Sequence, residues 1–124
     1  MKNKKIAIER ISLAKKNQLR YLDLSGLFLS EIPIDISDMN YLFDLDLSYN
    51  SFSQFPLEIN KLDNLQYLNL SNNYLQDICF VEGVYYSFKE INISNNYFNF
   101  IPKDILELDR GTIIIFNNNP FLHN

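Results

Sequence analysis

The chain has 124 residues, of which 47% are hydrophobic and 21% charged, a composition typical of a single domain with its own core. With three glycines, four prolines and no apolar run near the roughly 18 residues of a membrane span, collagen-like, disordered and membrane-inserted classes are not expected. Cys79 and His123 are the only residues of their types, which excludes a disulfide framework and a Cys/His zinc site. We therefore expect no cofactor and no metal.

Charge is distributed unevenly along the chain. Residues 1–20 hold seven basic side chains and one acidic side chain, a balance of +6, whereas the other 104 residues hold four basic and fourteen acidic ones, a balance of -10. The acidic body should repel nucleic acid. The basic leader lacks the apolar stretch of roughly 7 to 15 residues that a secretory signal requires. We therefore expect a cytoplasmic protein.

The leader has helical periodicity. Its apolar residues recur on one side of a helix, at Ala7, Ile8, Ile11 and Ala14. The pattern predicts a helix over about residues 4–16, with two lysines near its C-terminal end and Asn17 as a left-handed stop.

The rest of the chain is repetitive. Shifting the sequence by 23 residues aligns five segments, which are LRYLDLSGL from residue 19, LFDLDLSYN from 42, LQYLNLSNN from 65, FKEINISNN from 88 and GTIIIFNNN from 111. Four of the copies continue with apolar residues at two further shared positions, and proline follows in three of them, as Pro33, Pro56 and Pro102. Five copies at one spacing indicate a tandem-repeat fold.

Alternation of apolar and polar residues in each copy predicts one half-buried strand per unit. Stacking the units gives a parallel sheet with two inward rows, Leu22, Leu45, Leu68, Ile91, Ile114 and Leu24, Leu47, Leu70, Ile93, Phe116. A column of asparagines should turn the chain out of each strand and bond the backbone of adjacent units, at Asn50, Asn73, Asn96 and Asn119. The first unit has Leu27 in that column, so its turn should be packed by an apolar side chain.

The pattern LxxLxLxxNxLxxiPxxI resembles the leucine-rich repeat, of the 23-residue kind found in bacteria and in Ras-associated scaffold proteins. The resemblance covers about residues 19–122 and implies a small bacterial protein of α/β class, a right-handed solenoid shaped as a horseshoe arc. It places a parallel sheet on the concave side and short helices or 3₁₀ turns on the convex side. We expect a single domain, with an N-terminal capping helix over 1–18 and five repeats over 19–124 that start at 19, 42, 65, 88 and 111, the last incomplete.

The strand residues that alternate with the inward rows should face solvent. We call this solvent-facing side of the sheet, together with the turn residue Tyr49, the sheet face. Acidic and tyrosine side chains dominate it, and tyrosine supplies a large contact area with few rotatable bonds and a polar tip. The candidate protein-binding residues are Tyr21, Asp23, Asp44, Asp46, Tyr49, Tyr67, Asn69, Glu90 and Asn92. The serine column beside them, Ser25, Ser48, Ser71 and Ser94, is interpreted as scaffold.

Catalysis is not supported by the available side chains. A triad needs a base on a rigid element, whereas His123 is the penultimate residue. Asp44 and Asp46 are paired carboxylates, but an open surface does not exclude water, and an acidic face that steers a basic partner explains them with fewer assumptions. The predicted function is therefore non-catalytic binding of another protein with a basic surface. The alternative is a cytoplasmic inhibitor or immunity-type regulator of a specific enzyme or toxin.

Two segments depart from the repeat. The stretch from Phe80 to Tyr86 lacks the proline of the other units, and we interpret it either as a repacked core or as an exposed interface. The fifth unit ends soon after its asparagine with no recognisable return helix or cap, and its strand has Ile113 and Ile115 at positions that are polar or tyrosine in other units. Such an uncharged edge strand is a template for another strand, so we expect a homodimer or the partner to cover it.

Overall fold

The computed structural model describes residues 2–81 and 87–123. The chain begins with helix α1 (Lys2–Lys16), and five three-residue strands follow at intervals of one repeat. These are β1 (Tyr21–Asp23), β2 (Asp44–Asp46), β3 (Tyr67–Asn69), β4 (Glu90–Asn92) and β5 (Ile113–Ile115). Short helical segments lie between or after strands, namely the 3₁₀ turns Ile34–Asp38, Leu57–Lys61 and Pro120–His123 and the helix α2 (Lys103–Leu106). No helix in the described ranges has the length and apolarity to cross a bilayer.

The five strands form one parallel sheet in the order β1-β2-β3-β4-β5. Each residue pairs with the residue one repeat later, so that Leu22 lies beside Leu45 and Leu68 beside Ile91. The return segments begin after a proline and bury one isoleucine each, at Ile36, Ile59 and Ile105. The expected α/β solenoid of stacked strand-and-short-helix units is confirmed.

The inward rows are buried in the first four units and partly open in the fifth. Leu24, Leu47 and Leu70 are fully buried. In contrast, Ile114 is only half-buried, and Phe116 is 39% exposed. The assignment of Phe116 to the buried core is therefore wrong, because β5 is the last strand of the sheet and no sixth coil covers its inward side chains.

Helix α1 packs against the first coil with a slightly different face from the predicted one. Ala7 and Ile11 are fully buried and Ala14 is 2% exposed, whereas Ile8 is 36% exposed and does not belong to the covering face as expected. The helix is also secured by Arg10, whose Nη1 donates to the carbonyl oxygen of Asp23 at 3.0 Å. These contacts hold α1 against the first coil.

The turn after α1 differs from the prediction by one residue. The left-handed residue is Gln18, with φ of 51°, and not Asn17. Asn17 instead continues the last turn of the helix, since its backbone N–H and its side-chain Nδ2 both donate to the carbonyl oxygen of Leu13.

The asparagine column forms the predicted ladder between units. In the second unit, Asn50 Oδ1 accepts from the backbone N–H groups of Leu27 and Leu29 at 3.1 and 2.9 Å, and its Nδ2 donates to the carbonyl oxygen of Leu24 at 2.9 Å. Asn73, Asn96 and Asn119 make equivalent bonds to the unit before them. Leu27, which takes the place of an asparagine in the first unit, is buried as expected.

Both segments that depart from the repeat pack against neighbouring units. Phe80 lies between Phe55 and Phe88, with ring centroids 5.5 and 5.6 Å away, so this end of the third return segment packs on the core. The remainder of that stretch, residues 82–86, lies outside the described residues. At the C-terminal end, the expectation of no return element is wrong: Pro120–His123 forms a 3₁₀ turn, and the Phe121 N–H donates to the Phe98 carbonyl at 3.1 Å.

Candidate functional site

The strongest candidate surface is the sheet face, because parallel pairing aligns one solvent-facing residue of each strand in a row. The register places Tyr21, Asp44, Tyr67, Glu90 and Ile113 side by side on successive strands. Neighbouring strands lie about 4.8 Å apart, so adjacent side chains in this row can contact one ligand together. Tyr21 and Ile113 are about equally exposed, at 62% and 59%. The row therefore combines two carboxylates with two tyrosines and ends in an apolar side chain.

Tyr67 is held in place by an aromatic neighbour. Its ring centroid lies 5.3 Å from that of Phe43. The guanidinium of Arg20, the residue before β1, lies 5.7 Å from the same Phe43 centroid. Aromatic pairs and cation–π contacts of this kind restrict the rings that take part. Phe43 precedes β2 and contacts Tyr67 from the side, a role that the strand pattern does not predict. Tyr67 thus offers a preorganised ring rather than a freely rotating one.

The second row of the sheet face has a structural role in addition to the predicted binding role. Asp46 Oδ1 accepts from the backbone N–H of Ser48 at 2.9 Å and from its hydroxyl at 2.6 Å. The same two bonds occur within three other units, from Ser25 to Asp23, Ser71 to Asn69 and Ser94 to Asn92. Ser48, Ser71 and Ser94 are each 5% exposed, which agrees with the interpretation of this column as scaffold.

The carboxylates of the sheet face are crowded. The pKa of Asp44 is raised above its ordinary value of 3.8, first because partial burial disfavours the ionised form and then because Asp46 and Glu90 add negative charge nearby. At the edge of the sheet, by contrast, hydrogen bonds from Ser25 and the charge of Arg10 lower the pKa of Asp23. The negative charge is thus least compensated in the middle of the face.

The ion pairs of the described ranges lie elsewhere on the surface. They join Lys4 to Glu31, Lys15 to Asp38, and Lys103 to Glu107. None of them includes a sheet-face carboxylate. A cation that pairs with Asp44 would therefore have to come from a ligand.

The turn that leaves each strand adopts a left-handed backbone conformation, and in the second unit a tyrosine occupies it. The equivalent residues are Gly26, Tyr49, Asn72, Asn95 and Asn118, with φ between 55° and 68°. Glycine and asparagine adopt this region readily, whereas a bulky side chain does so at a cost. Tyr49 is 64% exposed, so core packing does not offset its strain. Strain without a packing benefit is characteristic of residues kept for function.

Further aromatic side chains line the loops beyond this turn. Phe28 also has a left-handed backbone, with φ of 55°, and is 78% exposed. Tyr74 and Tyr97 occupy the equivalent position of later units and stack on each other, with centroids 5.6 Å apart and rings 17° from parallel. The backbone strain at Phe28 and Tyr49 has no signal in the sequence pattern. The aromatic surface thus extends from the sheet face onto the turns.

Other types of site have less support. Within residues 2–81 and 87–123, the structure contains no group of three or more His, Cys, Asp or Glu side chains arranged to hold a metal ion. Cys79 is a free, exposed thiol.

Comparison with known proteins agrees with the architecture. A family model described as Leucine Rich Repeat matches residues 18–39 and 64–82, which include β1 and β3 with the turns that follow them. The chain therefore contains segments that match the leucine-rich repeat. No curated protein matches this leucine-rich repeat chain significantly. Leucine-rich repeats generally mediate protein–protein interaction and generally act as non-enzymatic modules.

Proposed function

We propose that this leucine-rich repeat chain is a non-catalytic binding module that takes a protein partner with a basic surface on its sheet face. The observation that carries the proposal is the group of carboxylates on β2 and β4. Asp44 shares β2 with Asp46, and Glu90 lies two strands away. Partial burial first, and then the negative charge of Asp46 and Glu90, raise the pKa of Asp44. A lysine or arginine of a partner, placed against these carboxylates, replaces their mutual repulsion with attraction. The acidic face also attracts such a partner from a distance and speeds association.

The tyrosines supply contact area around this acidic centre. Tyr21 and Tyr49 are each more than half exposed, and Tyr67 is fixed against Phe43. Rings of this kind bury a large area with little loss of rotamer freedom, and they also stack on guanidinium groups. Charge and aromatic area together favour a protein surface rich in arginine or lysine. We place this interaction in the cytoplasm, whose reducing environment suits the free, exposed thiol of Cys79.

The alternative, an inhibitor or immunity-type regulator, uses the same surface. It differs only in what happens to the partner, whose activity would fall on binding. An activity assay of the captured partner, with and without this protein, separates the two roles.

The test is capture from a lysate of the native organism, followed by mass spectrometry. The face variant combines Tyr21→Ala with Asp44→Lys, two changes at exposed positions of neighbouring strands. Truncating a hot spot costs on the order of 2 kcal/mol, which is roughly a 30-fold loss of affinity. The expected result is a partner that the parent captures, that the face variant loses, and whose capture weakens as salt is raised.

The matched control combines Leu57→Ala with Asp35→Lys, which makes the same kinds of change on the return side of the coils. Both side chains are exposed, so both double variants should melt close to the parent. The control should retain capture. If the face variant captures the same partner as well as the parent does, the sheet face is not the binding surface.

A further inference from the structure

The end of the fourth unit and the last coil depart from the repeat in a way that goes beyond the sheet-face binding. Phe100 is apolar where the earlier units have the exposed polar residues Glu31, Gln54 and Asp77. Ile113 and Ile115 are apolar where the earlier strands have the acidic, amide and tyrosine side chains of the sheet face. Phe100 and Leu106 are each 68% exposed, and Ile113 is 59% exposed. The apolar character thus surrounds the C-terminal end of the solenoid.

The core is also open at this end. Ile114 and Phe116 end two rows whose other members are at most 5% exposed, yet Ile114 is half-buried and Phe116 is 39% exposed. Phe121 contacts Phe116, with ring centroids 5.9 Å apart, and covers part of it. An open core of this kind needs a further cover, as terminal repeats generally do.

The backbone of β5 shows what kind of cover fits. Ile113 N–H donates to Lys89 O, and Ile115 O accepts from Ile93 N–H, so these two residues direct their backbone groups to β4. Successive strand residues direct these groups to opposite edges, so Ile114 presents its N–H and C=O away from the sheet. Within the described ranges these two groups have no backbone partner. Another strand can therefore pair with β5.

The opposite edge of the sheet excludes one arrangement. At β1, helix α1 packs on the first coil and Arg10 bonds the Asp23 carbonyl, so a second copy cannot add its β5 to that edge. A head-to-tail array is thus blocked, and only the two C-terminal ends remain free to meet. Residues 111–122 contain no charged side chain, whereas the chain carries a net charge of -4. Two copies that meet here pair two uncharged strands, so no like charges oppose each other across the new strand pair.

We propose that two copies of the chain associate through β5, antiparallel and about a two-fold axis at Ile114. In this register the two Ile114 residues exchange N–H···O bonds, and Ile113 of each copy lies opposite Ile115 of the other. Two isoleucine pairs are then buried on the continuous sheet face, and the open core ends of both copies are brought together. The result is a closed dimer with a ten-stranded sheet.

The experiment is light scattering behind size exclusion on the 124-residue chain, from about 5 to 200 µM. The parent should approach twice its 14.7 kDa mass as concentration rises. Two double variants change the same two residues. Ile113→Lys with Ile115→Lys puts lysine opposite lysine at both pairs, which should raise the concentration of half-dimerisation roughly tenfold or more. Ile113→Lys with Ile115→Glu puts lysine opposite glutamate at both pairs and should dimerise more readily than the double-lysine variant.

Ile34→Lys is the control for a charge placed on an exposed isoleucine elsewhere, since Ile34 is 74% exposed on the first return segment. It should dimerise like the parent. Circular dichroism and melting of each variant establish that it is folded. A parent that stays monomeric at about 200 µM overturns the proposal. Equal loss of dimer in the two double variants also overturns it, because the antiparallel register alone predicts that the sign of residue 115 matters.

Discussion

The inward-facing and outward-facing positions of the same coils obey different rules. Inward, the units share one arrangement. The rows are aliphatic except at Phe116, and from the second unit onward an asparagine amide bonds the unit before it. Outward, the row that begins with Tyr21 changes at every strand, from tyrosine to carboxylate and finally to isoleucine. Packing and buried hydrogen bonds restrict the first set, whereas solvent accepts almost any side chain. We therefore expect binding specificity to depend on the outward positions and stability on the inward ones.

The largest effect should come from breaking the inward ladder. Asn73→Ala removes the acceptor for the Phe52 N–H and the donor to the carbonyls of Leu47, Leu70 and Ser71. Buried groups left without partners cost about 1–3 kcal/mol each when water cannot replace the bond, so we expect a loss of at least about 2 kcal/mol in the free energy of unfolding. Urea denaturation measures it.

Asn99→Ala is the matched control for that change, because Asn99 is an exposed asparagine in the next unit. It should alter the free energy of unfolding by no more than about 0.5 kcal/mol. If Asn73→Ala and Asn99→Ala lowered the free energy of unfolding equally, the proposed difference between inward and outward positions would be wrong.

A gain in stability should follow from relieving the strain at Tyr49. Tyr49→Asn places there the residue that the next three units use at the same left-handed position. We expect the free energy of unfolding to rise by about 1 kcal/mol, while partner capture weakens. Tyr21→Asn, at a similarly exposed tyrosine outside the left-handed positions, should give no such gain. Thermal melting distinguishes the two, and a Tyr49→Asn variant that melts below the parent would contradict the strain argument.

The smallest effect should come from the charge of Asp44. Its pKa is raised in the folded protein, so ionised Asp44 opposes folding at pH 7, and this penalty disappears as pH falls below the unfolded value of about 3.8. Asp44→Asn should therefore unfold at higher urea than the parent at pH 7, by a few tenths of a kcal/mol, and the difference should shrink towards pH 3.5. A difference that grows on acidification would show the opposite sign of coupling.

The extent to which sequence predicted this structure follows the same division. The 23-residue spacing predicts the strands, their register and the asparagine ladder, because each depends on residues that must recur. Deviations lie where recurrence stops. At the N-terminus, periodicity specifies the rotation of α1 only to within about one residue. It therefore did not distinguish Ala7, which is buried, from Ile8, which is partly exposed. At the C-terminus, the repeat pattern places Phe116 inward, but burial of that position requires a following coil, and β5 is the last strand of the sheet.

The candidate surface was less predictable than the fold. Alternation in the strands correctly indicated which side chains face solvent. The ring contact between Phe43 and Tyr67, which are 24 positions apart, depends on how the two rings are tilted, and the sequence pattern does not specify that tilt. The serine bonds to Asp46 and its equivalents are local, and a Ser two residues after Asp or Asn could have indicated them.

The direction of the asparagine bonds has a consequence for how the protein is made. Each amide reaches back to the coil before it, from Asn50 to Leu27 and Leu29 and from Asn119 to Asn96 and Phe98. During synthesis the helix α1 leaves the ribosome before the coils. The turn of each coil is completed only when the following coil supplies its asparagine amide. The nascent chain can therefore fold progressively in the order of its synthesis, with never more than one unfinished turn at the growing end.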